Sequence, residues 1–215
     1  MAVKSDREYR DMTMEVRTAE DAEVEKDERK VVTGYASTFN EPYTLYENDD
    51  WRFNEVVDAR AFDNTDMSDV IMQYDHEGRV FARMSNNTLT VTPDEKGLLI
   101  EADLGGTELG RQLYEEIRGG YTTKMSFGFT VDGEEITDTK DVDGKALTVR
   151  TITHIGKLYD VSAVSLPAND ATSISVRSLT DGVIEEARAE RLEAEELELR
   201  RRKLIAKSKL IGGQK

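Results

Sequence analysis

The chain contains no cysteine and only two histidines, His76 and His154, among 215 residues. The first absence excludes disulfides, thiolate–metal sites and a cysteine nucleophile. The second argues against a histidine-rich zinc site and leaves carboxylates as ligands for a hard cation; no cofactor is expected. No apolar run approaches the roughly 18 to 20 residues needed to cross a bilayer. The start MAVKSDREYRDM lacks the uninterrupted apolar core of a secretory signal. The expectation is a soluble intracellular protein with no membrane partner. Positive charge is also scarce: 44 Asp and Glu against 29 Lys and Arg give a formal −15, which argues against nucleic acid as a partner across the surface.

This length suits one domain with a substantial tail, or two small ones. Residues 1–30 carry dense charge with little apolar periodicity, as in AEDAEVEKDERK over Ala19–Lys30, and read as a flexible lead-in. From Val31, VVTGYASTF alternates and is rich in β-branched and aromatic residues, which predicts a strand with Gly34 as a bulge or close-contact point. Trp51–Val57, the apolar run Val70–Tyr74, and Leu89–Val91 with Leu98–Leu104 about the turn TPDEKG add further strands. Met125–Val131, Ala146–Ile155 and Leu158–Leu166 complete the set, with acidic Asp132–Gly144 as a connecting loop and Pro167-Ala168-Asn169 as the final stop.

Thr107–Arg118 places Leu109, Leu113 and Ile117 four apart before Gly119-Gly120, predicting a helix with that stripe facing the core. Val183–Leu210 is built almost wholly of Ala, Glu, Leu, Arg and Lys, without Gly or Pro, and predicts a long helix. Its seven acids over Glu185–Glu198 precede six bases over Arg200–Lys209, an order that suits the helix dipole. The chain thus divides into a flexible segment 1–30, a mostly β domain of α+β class over 31–177, and a charged helical arm over 178–215.

With no cysteine and two histidines, the candidates for a base and a hydroxyl nucleophile are few. His76 follows VIMQY and Asp75, at the end of a buried strand where a rigid scaffold can present it; its plain alternative is an exposed turn. Ser126 sits in KMSFGF. If Met125 and Phe127 enter the core, alternation turns Ser126 to the opposite face beside Gly128, where backbone can approach closely. Asp160 interrupts the apolar strand LYDVSAV. A buried acid is costly unless partnered, so it is a candidate for orienting a histidine. His154, six residues earlier, shares that face in an unbroken strand, although Gly156 can shift the register. Either residue remains open as the orienting group. Arg83 and the backbone amides near Gly119-Gly120 are candidates for stabilising an oxyanion.

Six blocks carry a family resemblance: GYASTFN at Gly34–Asn40, VVDARAFD at Val56–Asp63, MQYDHEGRVFARM at Met72–Met84, KGLLIEADL at Lys96–Leu104, KMSFGF at Lys124–Phe129, and LYDVSAVSLPAND at Leu158–Asp170. In this order and spacing, over about residues 31–177, the chain resembles the prohead maturation serine proteases of tailed bacteriophages, relatives of the herpesvirus assemblin proteases. The resemblance implies that His76 and Ser126 are the catalytic pair. It puts a third member at Asp160, where the family commonly has glutamate. The herpesvirus relatives use a second histidine there, which would be His154 if the positions correspond.

The resemblance further implies an assemblin-like closed β-barrel with surrounding helices and dimerisation through a helix. As substrates it implies scaffold-like segments of the phage major capsid protein and the enzyme itself, cut inside the procapsid in the host cytoplasm during virion assembly. A non-enzymatic capsid-assembly scaffolding protein is the competing reading; it explains the arm and the acidity, but not the matching positions of Ser126, His76 and Asp160. A carboxylate-metal hydrolase is a more distant alternative, distinguished by its sensitivity to chelation.

Overall fold

The computed structural model describes residues 7–13, 17–18, 29–165 and 174–212 and holds eleven strands among them, many marked by alternating apolar and polar residues. In chain order they are β1 (Glu8–Thr13), β2 (Arg17–Thr18), β3 (Val31–Thr38), β4 (Tyr43–Glu47), β5 (Trp51–Val57), β6 (Ile71–Tyr74), β7 (Glu77–Arg83), β8 (Leu89–Pro93) and β9 (Gly97–Asp103). Helix α1 (Glu108–Arg118) precedes β10 (Lys124–Lys140) and β11 (Ala146–Val164), and helix α2 (Ile174–Gly212) follows. The first sheet runs β1-β10-β11-β5-β4, with β6 also on β11 and β7 on β6; the second runs β2-β3-β9-β8. Strand β3 lies alongside β1 and β10 without a shared ladder.

The chain is mostly β, as its sequence predicts. The closed barrel implied by resemblance is not found among the described residues. Closure needs a continuous ring of hydrogen-bonded neighbours, whereas among the described residues the strands form two separate sheets. The sheets meet through side chains. Val32 and Ala36 of β3, Leu98, Ile100 and Ala102 of β9, Met72, Phe127, Phe129, Ile152, Leu158 and Val161 belong to one buried cluster. Phe127 and Phe129 stack at its centre with ring centroids 4.5 Å apart.

Several expectations change in the structure. Glu8–Thr13 is a strand paired with β10, not part of a flexible lead-in. The charged stretch 19–28 and the stop at 167–169 lie outside the described residues. The bulge in β3 falls between Tyr35 and Ser37, while Gly34 pairs regularly with Ile100. Asp132–Gly144 is largely strand, because β10 continues to Lys140 against β11, and Ala146–Val164 is one strand instead of two.

Helix α1 begins where the Thr107 side chain accepts a hydrogen bond from the Gly110 amide at 2.9 Å, a standard N-cap. Its buried face is Gly110, Leu113, Tyr114 and Ile117. Leu109 is 38% exposed, because Gly110 and Tyr114 take the inward positions expected for it. Helix α2 starts earlier than its composition suggests and docks through Ile184 and Ala187 on Trp51 and Phe53 of β5. Beyond that contact Leu192, Leu197, Leu199 and Leu204 are exposed. No helix among the described residues is long and apolar enough to cross a membrane.

Trp51 is the chain's one tryptophan, and it is buried beneath this docking point. Ile184→Asp should lift α2 and shift the intrinsic emission to longer wavelength. An unchanged spectrum would show that the helix does not cover Trp51 in solution.

Candidate active site

The β10–β11 ladder assembles the site. Ser126 pairs with Ser162 and Gly128 with Asp160, and residues directly opposite in an antiparallel ladder share a face. These four therefore face one way, while Phe127 and Phe129 face the core. Gly128 has a steric reason to be glycine: a Cβ there would lie 2.4 Å from Asp160 Oδ2 and 2.7 Å from the Tyr9 ring.

His76 arrives from the adjacent hairpin. Strand β6 runs parallel to the end of β11, with Ile71 opposite Asp160 and Tyr74 opposite Ala163. It then reverses into β7 through Asp75 and His76, at φ 49° and 59°. Two central residues at positive φ are the pattern of a type I′ hairpin turn, which normally favours Asn and Gly. Asp75 anchors the turn: its amide donates to the Ala163 carbonyl at 3.0 Å, and its carboxylate accepts from the Ser165 amide and hydroxyl, each at 3.0 Å.

This placement makes the imidazole a bridge. His76 Nε2 lies 2.6 Å from Ser126 Oγ, and Nδ1 lies 2.5 Å from Asp160 Oδ1. Asp160 is buried; its Oδ1 also accepts from the Ser162 hydroxyl at 3.0 Å. Arg7 Nη1 stands 3.7 Å from Oδ2, an oxygen with no hydrogen-bond donor among the described residues.

Strand β1 closes the site. It pairs antiparallel with β10, Arg10 opposite Phe127 and Asp11 opposite Ser126. The Tyr9 ring packs on His76 with centroids 4.3 Å apart, and Ser126 is fully buried. Ser126 Oγ is also 2.9 Å from the Arg10 carbonyl oxygen. A serine has one hydroxyl proton, so it donates either to His76 Nε2 or to this carbonyl. In the second case its oxygen accepts from a protonated Nε2, while Nδ1–H points at the Asp160 carboxylate.

A buried charge network holds β1. Arg10 Nε and Nη2 lie 2.5 and 2.8 Å from the Glu55 carboxylate, and Nη2 lies 2.5 Å from Glu8. Arg150 bonds Glu8 at 2.6 and 2.9 Å, Glu55 at 2.6 Å and Glu134 at 2.6 Å. Tyr43 donates to Glu55. Burial alone would raise the Glu8 carboxyl, but the Arg150 hydrogen bond and the charges of Arg10 and Arg150 outweigh it and hold the group at about 2. Glu55 is likewise lowered: burial opposes the shift, and Arg10 and Arg150 override it.

The remaining sequence candidates lie elsewhere. His154 sits opposite Gly133, and the second ring nitrogen of His76 is taken by Asp160. Exposed Arg83 forms a forked ion pair with half-buried Asp69. The Gly119 and Gly120 amides are used in ending α1, donating to Glu115 and Ile117 carbonyls at 2.8 and 3.1 Å. Sequence reasoning missed Glu8, Tyr9, Arg10, Glu55 and Arg150. The inward residues of β1 are charged, so no apolar alternation marks the strand.

A family model described as caudovirus prohead serine protease matches residues 13–184. No curated protein and no solved structure matches the chain.

Between its ordinary value of 4.5 and its folded value of about 2, Glu8 binds fewer protons in the folded chain than in the unfolded one. Its contribution is therefore complete above about 4.5 and is lost as pH falls towards 2. Amide protection over Glu8–Thr13 should hold from neutral pH to about 4.5 and then decline before that of β3 and β9. Protection that persists undiminished in acid would show that the charge network is not what holds β1.

Proposed function

This chain belongs to the caudovirus prohead serine protease family, and on that premise we propose that it is a capsid-maturation endopeptidase with Ser126 as nucleophile, His76 as general base and acid, and Asp160 as the group that orients His76. The observation supporting these roles is the imidazole bridge, with Ser126 Oγ 2.6 Å from one ring nitrogen and Asp160 Oδ1 2.5 Å from the other. That separation satisfies the hydrogen-bond reach needed for proton transfer.

In this reading Asp160 accepts Nδ1–H, which fixes the tautomer and leaves Nε2 free to take the Ser126 proton as Oγ attacks a peptide carbonyl. The imidazolium then returns the proton to the departing amine, and water hydrolyses the acyl-enzyme by the same route. His154 has no part in these steps. The substrates are scaffold-like segments of the phage capsid protein and this chain itself, cut within the procapsid in the host cell. The catalytic unit takes in residues 31–177 and reaches back to Glu8, because Tyr9 and Arg10 touch the site. Arm α2 is the segment available for association with a shell component or a second copy.

Co-expression with the cognate capsid protein tests the activity. Wild type should yield shortened capsid protein by intact mass, and Ser126→Ala should leave it full length in assembled shells. The same full-length mass from both, in shells that contain the protein, would favour a scaffolding role. Within the site, Asp160→Asn should lower kcat by about 10⁴-fold, the scale of a lost orienting carboxylate elsewhere. His154→Ala should leave kcat within about twofold, since its ring contacts neither Ser126 nor His76 and substitutions away from such features are nearly neutral. The reverse ranking would assign the third position to His154.

A further inference from the structure

Strand β10 has two edges, and β11 occupies one along its whole length. The edge beside Ser126 is held by β1 from Lys124 to Phe129. An extended peptide approaching this serine therefore has one edge on which to add as a strand, the recognition mode that supplies main-chain hydrogen bonds and alternate side-chain pockets. It can do so only by replacing β1.

What β1 places there resembles a bound peptide in chemical detail. The carbonyl meeting Ser126 belongs to Arg10, and the Arg10 side chain enters a buried site whose base is the fully buried Glu55 carboxylate. The Phe129 ring lies 5.7 Å from the guanidinium carbon. Two residues earlier on the same face, Glu8 takes both terminal nitrogens of Arg150. Without β1, Glu55 would keep Arg150 and Tyr43 but lose the two bonds from Arg10. An entering guanidinium restores the fork on Glu55 and an ammonium restores its charge, whereas an uncharged side chain leaves that buried carboxylate one cation short, a costly arrangement.

We infer that β1 is an internal pseudosubstrate, and that the pocket it fills selects peptides with arginine or lysine at the residue whose carbonyl is attacked and an acid two residues earlier. Glu55 is the specificity residue for the base and Arg150 for the acid. The inference rests on Ser126 being the nucleophile. In β1 the Arg10 carbonyl oxygen, not its carbon, meets the hydroxyl, and it competes with His76 for the single proton, so the strand blocks without being cut. In a substrate the carbonyl carbon takes that place. Its bond to Ser126 Oγ forms, the C–N bond to the next residue breaks, and the amine departs with the proton held by His76.

The test uses the full chain, the double variant Glu8→Ala/Arg10→Ala and the variant Glu55→Gln, with three serine-directed reagents. One is a small fluorophosphonate; the others are diphenyl phosphonates of Glu-Tyr-Arg and Glu-Tyr-norleucine. The rate of Ser126 modification is read by intact mass and peptide mapping. The small reagent should react with the double variant roughly tenfold or more faster than with wild type, as expected when a blocking contact is removed. The arginine reagent should exceed the norleucine reagent by roughly tenfold or more on the double variant, a preference lost in Glu55→Gln. Equal small-reagent rates on wild type and double variant would overturn the pseudosubstrate. Equal rates for the two peptidyl reagents, on a double variant that the small reagent modifies, would overturn the specificity; this comparison stands even if Glu55→Gln fails to fold. Absence of modification by the small reagent in every protein would overturn the nucleophile assignment itself.

Discussion

The long antiparallel ladder between β10 and β11 is the constraint on which the remaining structure depends. Its register puts Ser126 and Asp160 on one face and stacks Phe127 and Phe129 on the other, so core packing and site alignment are set by the same hydrogen bonds. A slip of one residue would exchange the two faces. Strand β11 also receives two parallel neighbours in succession, β5 along Ala146–Ile152 and β6 along Asp160–Ala163. Between them the ladder with β10 shifts register repeatedly from Gly128 to Glu134. Such irregularities bend and twist a strand, and here they separate the stretch that carries the helix platform from the stretch that carries Asp160.

The second organising element is electrostatic. Glu8, Arg10, Glu55 and Arg150 are all nearly or fully buried, and each acid lies within hydrogen-bond distance of both bases. Buried ions cost desolvation that their mutual attraction offsets only with good geometry. An all-apolar β1 would therefore be the simpler way to gain stability. A charged strand instead gives a selective attachment: its place on β10 depends on matching both signs at fixed spacing, and a mismatched strand would strand an ion in the interior.

Much of the site was legible because its residues break a local pattern. Asp160 stands out within LYDVSAV, and Ser126 falls on the polar side of an alternation that also demands Gly128. His76 follows a short apolar strand, and the structure brings all three side chains together. The hairpin β8–β9 and the capped helix α1 were equally readable from turn residues and periodicity. What sequence concealed depends on partners far along the chain. Glu8 and Arg10 look like solvent-exposed charges until Glu55 and Arg150, 45 to 142 residues away, meet them. The outer half of β10 is acidic and reads as loop, yet Glu134 and Asp138 find Arg150 and Thr148 on the opposing strand. Leu109 misled because Tyr114, an amphipathic residue, took the inward place on α1. Barrel closure is a property of strand edges, which side-chain patterns do not report, and no closed ring is found among the described residues.

The turn that delivers His76 carries a further consequence. A histidine at φ 59° occupies a backbone region that glycine enters without steric cost and other residues populate at some expense. The hairpin taken alone would fold as well or better with glycine there, and the bonds from Asp75 to Ser165 and Ala163 compensate for that local disadvantage. On the catalytic role proposed for His76, selection for stability and selection for chemistry pull in opposite directions at one position. Sequences drifting towards a more stable hairpin would lose the imidazole first, while their two sheets and core stayed intact.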